Sequence, residues 1–246
     1  MSHFSNQHSC TFAGKNSWTN FGLYLIDKKI TMPSKNKVAI PPPYTSRLID
    51  LSMFYNEQAY HDRTVQMTFL ALQRDSVSKE AAYLAWTKIV NWLMPPIGRQ
   101  PLIDDVMSEY YYLGEVVDAP TWEDYLFNGK FTVTWTCYPF RIHRLPEGND
   151  VWDTFNFELD VAQSVKYDVD GGRNITLLNN GATPIQPTLV TNAPLTLSIN
   201  GVTVQVNAGV TAPGELLQPL TLQVGINSIT IVGKGSIEFQ WQKEVI

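Results

Sequence analysis

Three observations predict a mainly β fold carrying one main α-helix. The segment 130–140 alternates Phe131, Val133, Trp135 and Cys137 with Thr132, Thr134 and Thr136, the period-two pattern of a strand with one buried face. After Asn174 the chain becomes a series of short apolar runs separated by turn residues, which is how a β-sandwich reads. Between 78 and 94 the apolar spacing is helical instead. With 246 residues, 44% of them hydrophobic, the chain is long enough for one large or two modest buried cores.

In the first half, FGLYLI (21–26) and RTVQMTFLAL (63–72) join KFTVTWTCYPF (130–140) as strands. The helix between the last two has its own punctuation. Ser78 can cap it, Glu80 suits the positive end of the helix dipole, and Pro95-Pro96 stops it. Ala82, Trp86, Ile89 and Leu93 fall on one face, the stripe of a helix packed on a sheet.

A break comes near Leu145, where HRLPEGND combines proline, glycine and opposite charges. We therefore expect domains 1–145 and 146–246. The second contains the runs NITLLNN, PIQPTLV, PLTLSIN, VTVQVNA, PLTLQV, NSITIVG and SIEFQWQ, with Asn179-Asn180-Gly181, Asn200-Gly201 and Gly233-Lys234-Gly235 as turns. Asn200-Gly201 is the clearest of these, since a type I′ turn needs positive φ at both central positions. It predicts that LTLSI pairs with VTVQV. From Leu178 onward the charged residues are Glu215, Lys234, Glu238, Lys243 and Glu244, so Thr, Asn, Gln and Ser must supply most of the wetted surface.

A formal net charge of −5 provides no basic field for sequence-independent attraction to nucleic-acid phosphates, which disfavours DNA binding in the usual sense, sequence-specific binding included. The polar start MSHFSNQHSC lacks the pattern of a secretory signal. The most apolar stretch, 81–96, is broken by Lys88, Asn91 and two prolines, short of the ~20 apolar residues of a membrane span. A soluble protein without membrane insertion is expected. Cys10 and Cys137 are far apart and not in C-x-x-C spacing, and they read as reduced core residues.

Reactive constellations do not emerge. The histidines, at 3, 8, 61 and 143, have no metal-ligand spacing. Gly14-Lys15 and Gly233-Lys234 lack the upstream glycine of a phosphate-binding loop. Asp168-Val169-Asp170-Gly171-Gly172 lacks the closing ligands of a calcium loop and reads as a tight turn. The neighbours Asp104-Asp105 and Glu123-Asp124 would point to opposite sides of an extended chain. Catalytic, cofactor-binding and metal residues are therefore expected to be none, and the protein not an enzyme.

One charge run stands out. Between Arg99 and Lys130 lie Asp104, Asp105, Glu109, Glu115, Asp118, Glu123 and Asp124, with no basic residue. The ordinary reading is a solvated acidic face. In a ring, Asp104, Asp105, Glu109 and Glu115 could instead line a channel and repel DNA passing through it.

The order of signals resembles the distal tail protein family of long-tailed phages that infect Gram-positive hosts. The likeness begins with Thr11-Phe12-Ala13-Gly14-Lys15-Asn16-Ser17 and Asn20-Phe21-Gly22-Leu23, and continues through Met32-Pro33-Ser34-Lys35, the run from Tyr60 to Phe69, and the helix. It resumes at Gly181-Ala182-Thr183-Pro184-Ile185-Gln186-Pro187, the Asn-Gly hairpin, the run from Val224 to Thr230, and the closing Ile237-Glu238-Phe239-Gln240-Trp241. Where similar proteins carry a glycine-rich turn, this chain has Pro41-Pro42-Pro43-Tyr44, a stiffer backbone that lacks N–H donors.

The resemblance implies an N-terminal ring-forming β-sandwich or split-barrel-like domain and a C-terminal galectin-like β-sandwich used for docking. It implies a homo-hexameric ring at the virion tail tip, assembled in the host cytoplasm. That ring would sit between the tail tube protein and the tip hub or tail-associated protein and anchor receptor-binding or baseplate proteins. An arm or hairpin near 41–60 would reach the neighbouring subunit. Tyr44, Phe54, Tyr55, Tyr60 and Arg63 are the expected interface residues, with Trp18 and Tyr110-Tyr111-Tyr112 as further aromatic surface. Arg63 reads equally well as a surface arginine or as the partner of an acid beside its strand. The competing reading is a carbohydrate-binding adhesin of the host surface, and Phe239 and Trp241, the aromatics after Leu178, look like core and not a sugar platform.

Overall fold

The computed structural model describes residues 8–45, 47–52, 58–71, 78–121, 129–152 and 155–246. The chain is mainly β and divides into two compact units, residues 1–142 with 246, and 143–245. Each is described by itself.

In the N-terminal unit the strands are β1 (Cys10–Phe12), β2 (Lys15–Asn16), β3 (Leu23–Ile30), β4 (Ala39–Ile40), β5 (Ile49–Asp50), β6 (Arg63–Ala71), β7 (Gln100–Asp104), β8 (Tyr110–Val116) and β9 (Lys130–His143). The helices are α1 (Ser17–Phe21) and α2 (Lys79–Leu93). The main sheet runs β2-β1-β7-β8-β9-β6-β3. Toward one edge lies the antiparallel β6–β9 pair, in register from Arg63 opposite Cys137 to Leu70 opposite Lys130.

Alternation decides the two faces of this pair. Val65, Met67 and Phe69 of β6 and Phe131, Val133, Trp135 and Cys137 of β9 are all buried. The other face carries Thr64 opposite Thr136 and Gln66 opposite Thr134, and Thr68 bonds Thr132 across the strands at 2.9 Å. Trp135, fully buried, meets Phe12 edge-on at 5.8 Å between ring centroids and Phe69 at 6.3 Å.

Helix α2 covers this core. The Ser78 hydroxyl accepts from the Ala81 amide at 3.2 Å, and Ile89, Trp92 and Leu93 are buried. Trp92 does what the apolar stripe did not anticipate: it stacks on Phe21 at 4.5 Å and donates its indole N–H to the Phe12 carbonyl at 2.8 Å. The strand expected over 21–26 starts later, at Leu23. Asn16 caps a short helix ahead of it, and Gly22 ends that helix at φ 63°.

The tyrosine run lies on β8, in the hairpin β7–β8. Tyr110 and Tyr112 face inward and are buried, whereas Tyr111 is half-exposed. Strand alternation thus removes two of the three from the aromatic surface read in the sequence.

The C-terminal unit is built on β10 (Lys166–Asn179), β11 (Thr188–Thr191), β12 (Leu195–Ile199), β13 (Val202–Val206), β14 (Gly209–Thr211) and β15 (Gly225–Gln240). The order is β13-β12-β15-β11-β14, with β10 on the other edge of β15. The β12–β13 hairpin turns at Asn200 and Gly201, whose φ angles are 49° and 80°, the doubly positive pair of a type I′ turn.

Two readings of turns are corrected here. Asp168 to Gly172 lies inside β10, and Gly233-Lys234-Gly235 lies inside β15. The two long strands pair from Lys166–Glu238 to Asn179–Gly225, with Gly171 opposite Gly233. One half of β15 pairs with β12 through residues 229–233, and the other half with β11 through residues 237–240. The glycines therefore mark where a continuous strand pair passes from one set of partners to the other, a use of glycine that breaks no ladder. Leu177, Leu197, Leu222, Ile231 and Phe239 fill the core, each essentially inaccessible to solvent.

Candidate functional site

The most unusual surface is a two-stranded ribbon in the N-terminal unit that belongs to neither large sheet. Its base is fastened by His61 N–H to the Ser34 carbonyl at 2.9 Å and Asn36 N–H to the Ala59 carbonyl at 2.8 Å. Further out, Leu51 N–H donates to Val38 at 2.8 Å, and β4 pairs with β5 through Ala39–Asp50 and Ile40–Ile49. Pairing stops at Ile40 because Pro41, Pro42 and Pro43 have no N–H to offer. The ribbon thus starts before the proline run and not at 41, and Tyr44 beyond it turns at φ 62°.

Its side chains have no core of their own. Val38, Ile40, Ile49 and Leu48 are 47–66% exposed, and Tyr44 is fully exposed. A two-residue-per-strand ladder is marginal in water, and contiguous exposed apolar surface marks an interaction site.

The other expected interface residues scatter. Tyr60 is half-buried and packs edge-on against Phe140 at 5.5 Å. Phe54 and Tyr55 lie outside the described residues, as do Glu123 and Asp124. Arg63 is neither a surface arginine nor half of an ion pair. It is 2% exposed, at the first core-facing position of β6, with its guanidinium over the Tyr112 ring at 5.5 Å. Burial pushes this guanidinium below its ordinary range.

Of the acids considered for a channel, Asp104 is buried and paired with Lys28. Asp105 accepts from the Ser9 amide at 2.5 Å, and Glu109 and Glu115 are half-exposed. The acidic run is therefore partly neutralised from within.

The C-terminal unit holds a buried polar cluster that the sequence reading missed, because two members, His143 and Glu147, sit in the segment read as the break between domains and meet Asp160 and Lys243, which are remote in sequence. Lys243, 1% exposed, is paired with Asp160 and donates to the Leu159 carbonyl at 2.8 Å. His143 and Glu147 are 5% and 8% exposed. They line, with Asp160, a cavity of about 30 Å³, room for a water or two. Burial raises the Glu147 carboxyl above the usual carboxylate range, against a hydrogen bond from Gln163 at 3.3 Å. Burial also opposes ionisation of Asp160, yet the bonds from Lys243 and the Asn156 amide hold its carboxyl below that range.

The same segment exposes Trp152 and Phe157. Trp152–Phe155 and Phe155–Phe157 each lie 5.1 Å apart, with planes tilted by 44° and 74°, so the rings form a knot and not a flat platform for a sugar.

Burial pushes the thiols of Cys10 and Cys137 up to about 12, which keeps them protonated and poor nucleophiles. Among the described residues no three His, Cys, Asp or Glu side chains converge as metal ligands, and no helix is long and apolar enough to cross a membrane.

Two compact β units, one helix over the first core and a detached ribbon define a two-unit, mainly β fold. Among the solved structures it matches is that of the Dit protein (gp 19.1) of phage SPP1, presented as a paradigm of the hub adsorption apparatus in phages infecting Gram-positive bacteria. The match has a TM-score of 0.63 and spans 97% of this chain and 99% of that one, at 10% sequence identity. No protein-family model and no curated protein matches the sequence. The fold is thus shared with a distal tail protein over essentially its whole length.

Proposed function

We propose that this chain is a structural subunit of a bacteriophage tail tip, which closes into a homo-hexameric ring through its N-terminal unit. The ring joins the tail tube to the tip hub and anchors host-recognition proteins through the C-terminal unit. The ribbon carries the reading: it exposes Val38, Ile40, Leu48 and Ile49 in a form that gains stability only by lying on another surface. A second copy presents such a surface in a head-to-tail arrangement, and a rotation that closes gives a ring. The fold shared with the SPP1 protein supports the structural, tail-tip role.

The test is the mass of the purified full chain by sedimentation velocity, alone and with tube and hub proteins, followed by negative-stain imaging. A ring of six is expected in at least one mixture, and lost in Ile40→Ser/Ile49→Ser. A chain that stays monomeric in every mixture, or a double variant that assembles like the parent, refutes the reading.

A further inference from the structure

The buried charges of the N-terminal unit do not cancel. Buried Asp104 is taken by Lys28, and the neighbouring, exposed Asp62 by Arg99 at 2.5 Å. Arg63 and Arg141 are left over, and no ion pair with an Asp or Glu side chain involves either. Arg63 is almost fully buried, yet its Nε and Nη2 reach no acceptor, and the Nε of Arg141 is likewise buried without one. Arg141 commits its other nitrogens to the Met107 sulfur at 3.3 Å and the Ile246 main-chain oxygen at 2.8 Å.

Each guanidinium lies over a tyrosine ring, Arg63 over Tyr112 and Arg141 over Tyr110 at 5.6 Å. Those faces soften the charge, and Tyr112 also hydrogen-bonds the Arg63 guanidinium, but Nε and Nη2 of Arg63 still lack an oxygen. Tyr110 and Tyr112 are buried two residues apart on one face of β8, so the two guanidinium groups lie over the same side of that strand, where Arg141 disfavours the charged form of Arg63. A buried cation with unbonded donors costs several kcal/mol unless an anion meets it, and a guanidinium fork matches the oxygens of a carboxylate or phosphate.

We propose that Arg63 and Arg141 form an oxyanion site in the N-terminal unit, filled by a carboxylate or phosphate group brought from outside the unit. Access runs past Arg141, the half-exposed member of the pair. The site stands apart from the ring reading, because a free anion would fill it in a monomer. The same chemistry arrives as a side-chain carboxylate of a second copy if the ring forms there.

The experiment compares thermal unfolding of the full-length protein in sodium phosphate and in sodium chloride at matched ionic strength, for the parent, Arg63→Met, Arg141→Gln and the control Arg173→Gln. Arg173 lies in the other unit over Tyr167. Ligand binding to the folded state raises the midpoint in proportion to the logarithm of its concentration.

If the occupant is a free oxyanion, phosphate raises the midpoint of the parent and the control by several degrees, and this rise disappears in both test variants. Arg63→Met is then at least as stable as the parent in chloride, where the charge is unmet, and falls behind it in phosphate. If the occupant is a carboxylate of a second copy, phosphate leaves the monomer unchanged, competes with self-association in sedimentation, and has no partner to displace in Arg141→Gln, which associates at least tenfold more weakly. Both outcomes uphold the site. An equal phosphate effect in all four proteins, with Arg141→Gln associating like the parent, overturns it. Should Arg63→Met fail to fold, Arg141→Gln against Arg173→Gln decides the question alone.

Discussion

The two units bury charge in opposite ways. The N-terminal unit buries one arginine, Arg63, that lacks a carboxylate partner, whereas the C-terminal unit holds the buried Glu147 and the mostly covered Asp160 beside one buried lysine, Lys243. The surfaces differ too: the first unit leaves an apolar ribbon uncovered, and the second relies on sparse charge and many hydroxyl and amide side chains. A surplus of buried positive charge is relieved by an incoming anion, and a surplus of buried negative charge by a proton. The first unit is therefore predicted to respond to anions, and the second to pH.

The largest expected effects test whether the units are independent. Trp135→Ala removes the largest fully buried side chain of the first core and should cost about 3–5 kcal/mol. Asp160→Asn strands the buried Lys243 ammonium in the second and should cost about 3–5 kcal/mol. Urea unfolding followed by hydrogen exchange of each unit checks both. Each variant should loosen only its own unit, and a loss of protection spread evenly over the chain would break the comparison.

A smaller loss is expected from Gly114→Ala. A Cβ there would lie 2.5 Å from the Cys137 sulfur, and overpacking of this kind costs about 1–3 kcal/mol, seen as a lower urea midpoint with the same slope.

The pH response follows from Glu147 and Asp160, with His143 and Lys243 facing them. Because the folded Glu147 carboxyl titrates above its unfolded value, the folded state holds the extra proton in the window just above 4.5, and stability falls as pH rises through it. Asp160 has the opposite sign: its contribution is present above 3.8 and is lost as pH falls below that value. Glu147→Gln should therefore stabilise the C-terminal unit at neutral pH and flatten its profile on the acid side, while the parent peaks in mildly acidic buffer. Calorimetry across the pH range measures this, and an unchanged slope in Glu147→Gln would assign the charge penalty elsewhere.

The smallest effect on stability belongs to the ribbon. Ile40→Ser and Ile49→Ser should change unfolding by no more than about 0.5 kcal/mol, as exposed positions do, although assembly is lost.

These features were unequally legible in the sequence. Period-two alternation marks β9 residue by residue, and Ser78, Pro95 and the Asn200-Gly201 pair bracket their elements, because each acts through local backbone geometry. Gly233 and Gly171 misled for the same reason: positive φ serves a turn and a bend within a long strand alike, and only the partner strand distinguishes them. The buried charges were least legible. That Glu147 feels the charge of Lys243, and that Lys28 and Arg99 pair with the acids Asp104 and Asp62, depends on contacts between residues remote in sequence, and HRLPEGND looks like a linker to any local measure. The resemblance anticipated a detached arm, but its proline run obscured that the pairing precedes it.

The β10–β15 pair also governs when the C-terminal unit can form during synthesis. β10 is made first and then waits, through four intervening strands, for the one partner it has. Such non-local pairing is slow, since loop closure must come before any ladder is gained. The unit's half-built state presents Ile175 and Leu177, both buried in the finished fold, with no strand to cover them. During that interval the nascent chain depends on its polar turns, or on a chaperone, to avoid pairing with another copy of itself.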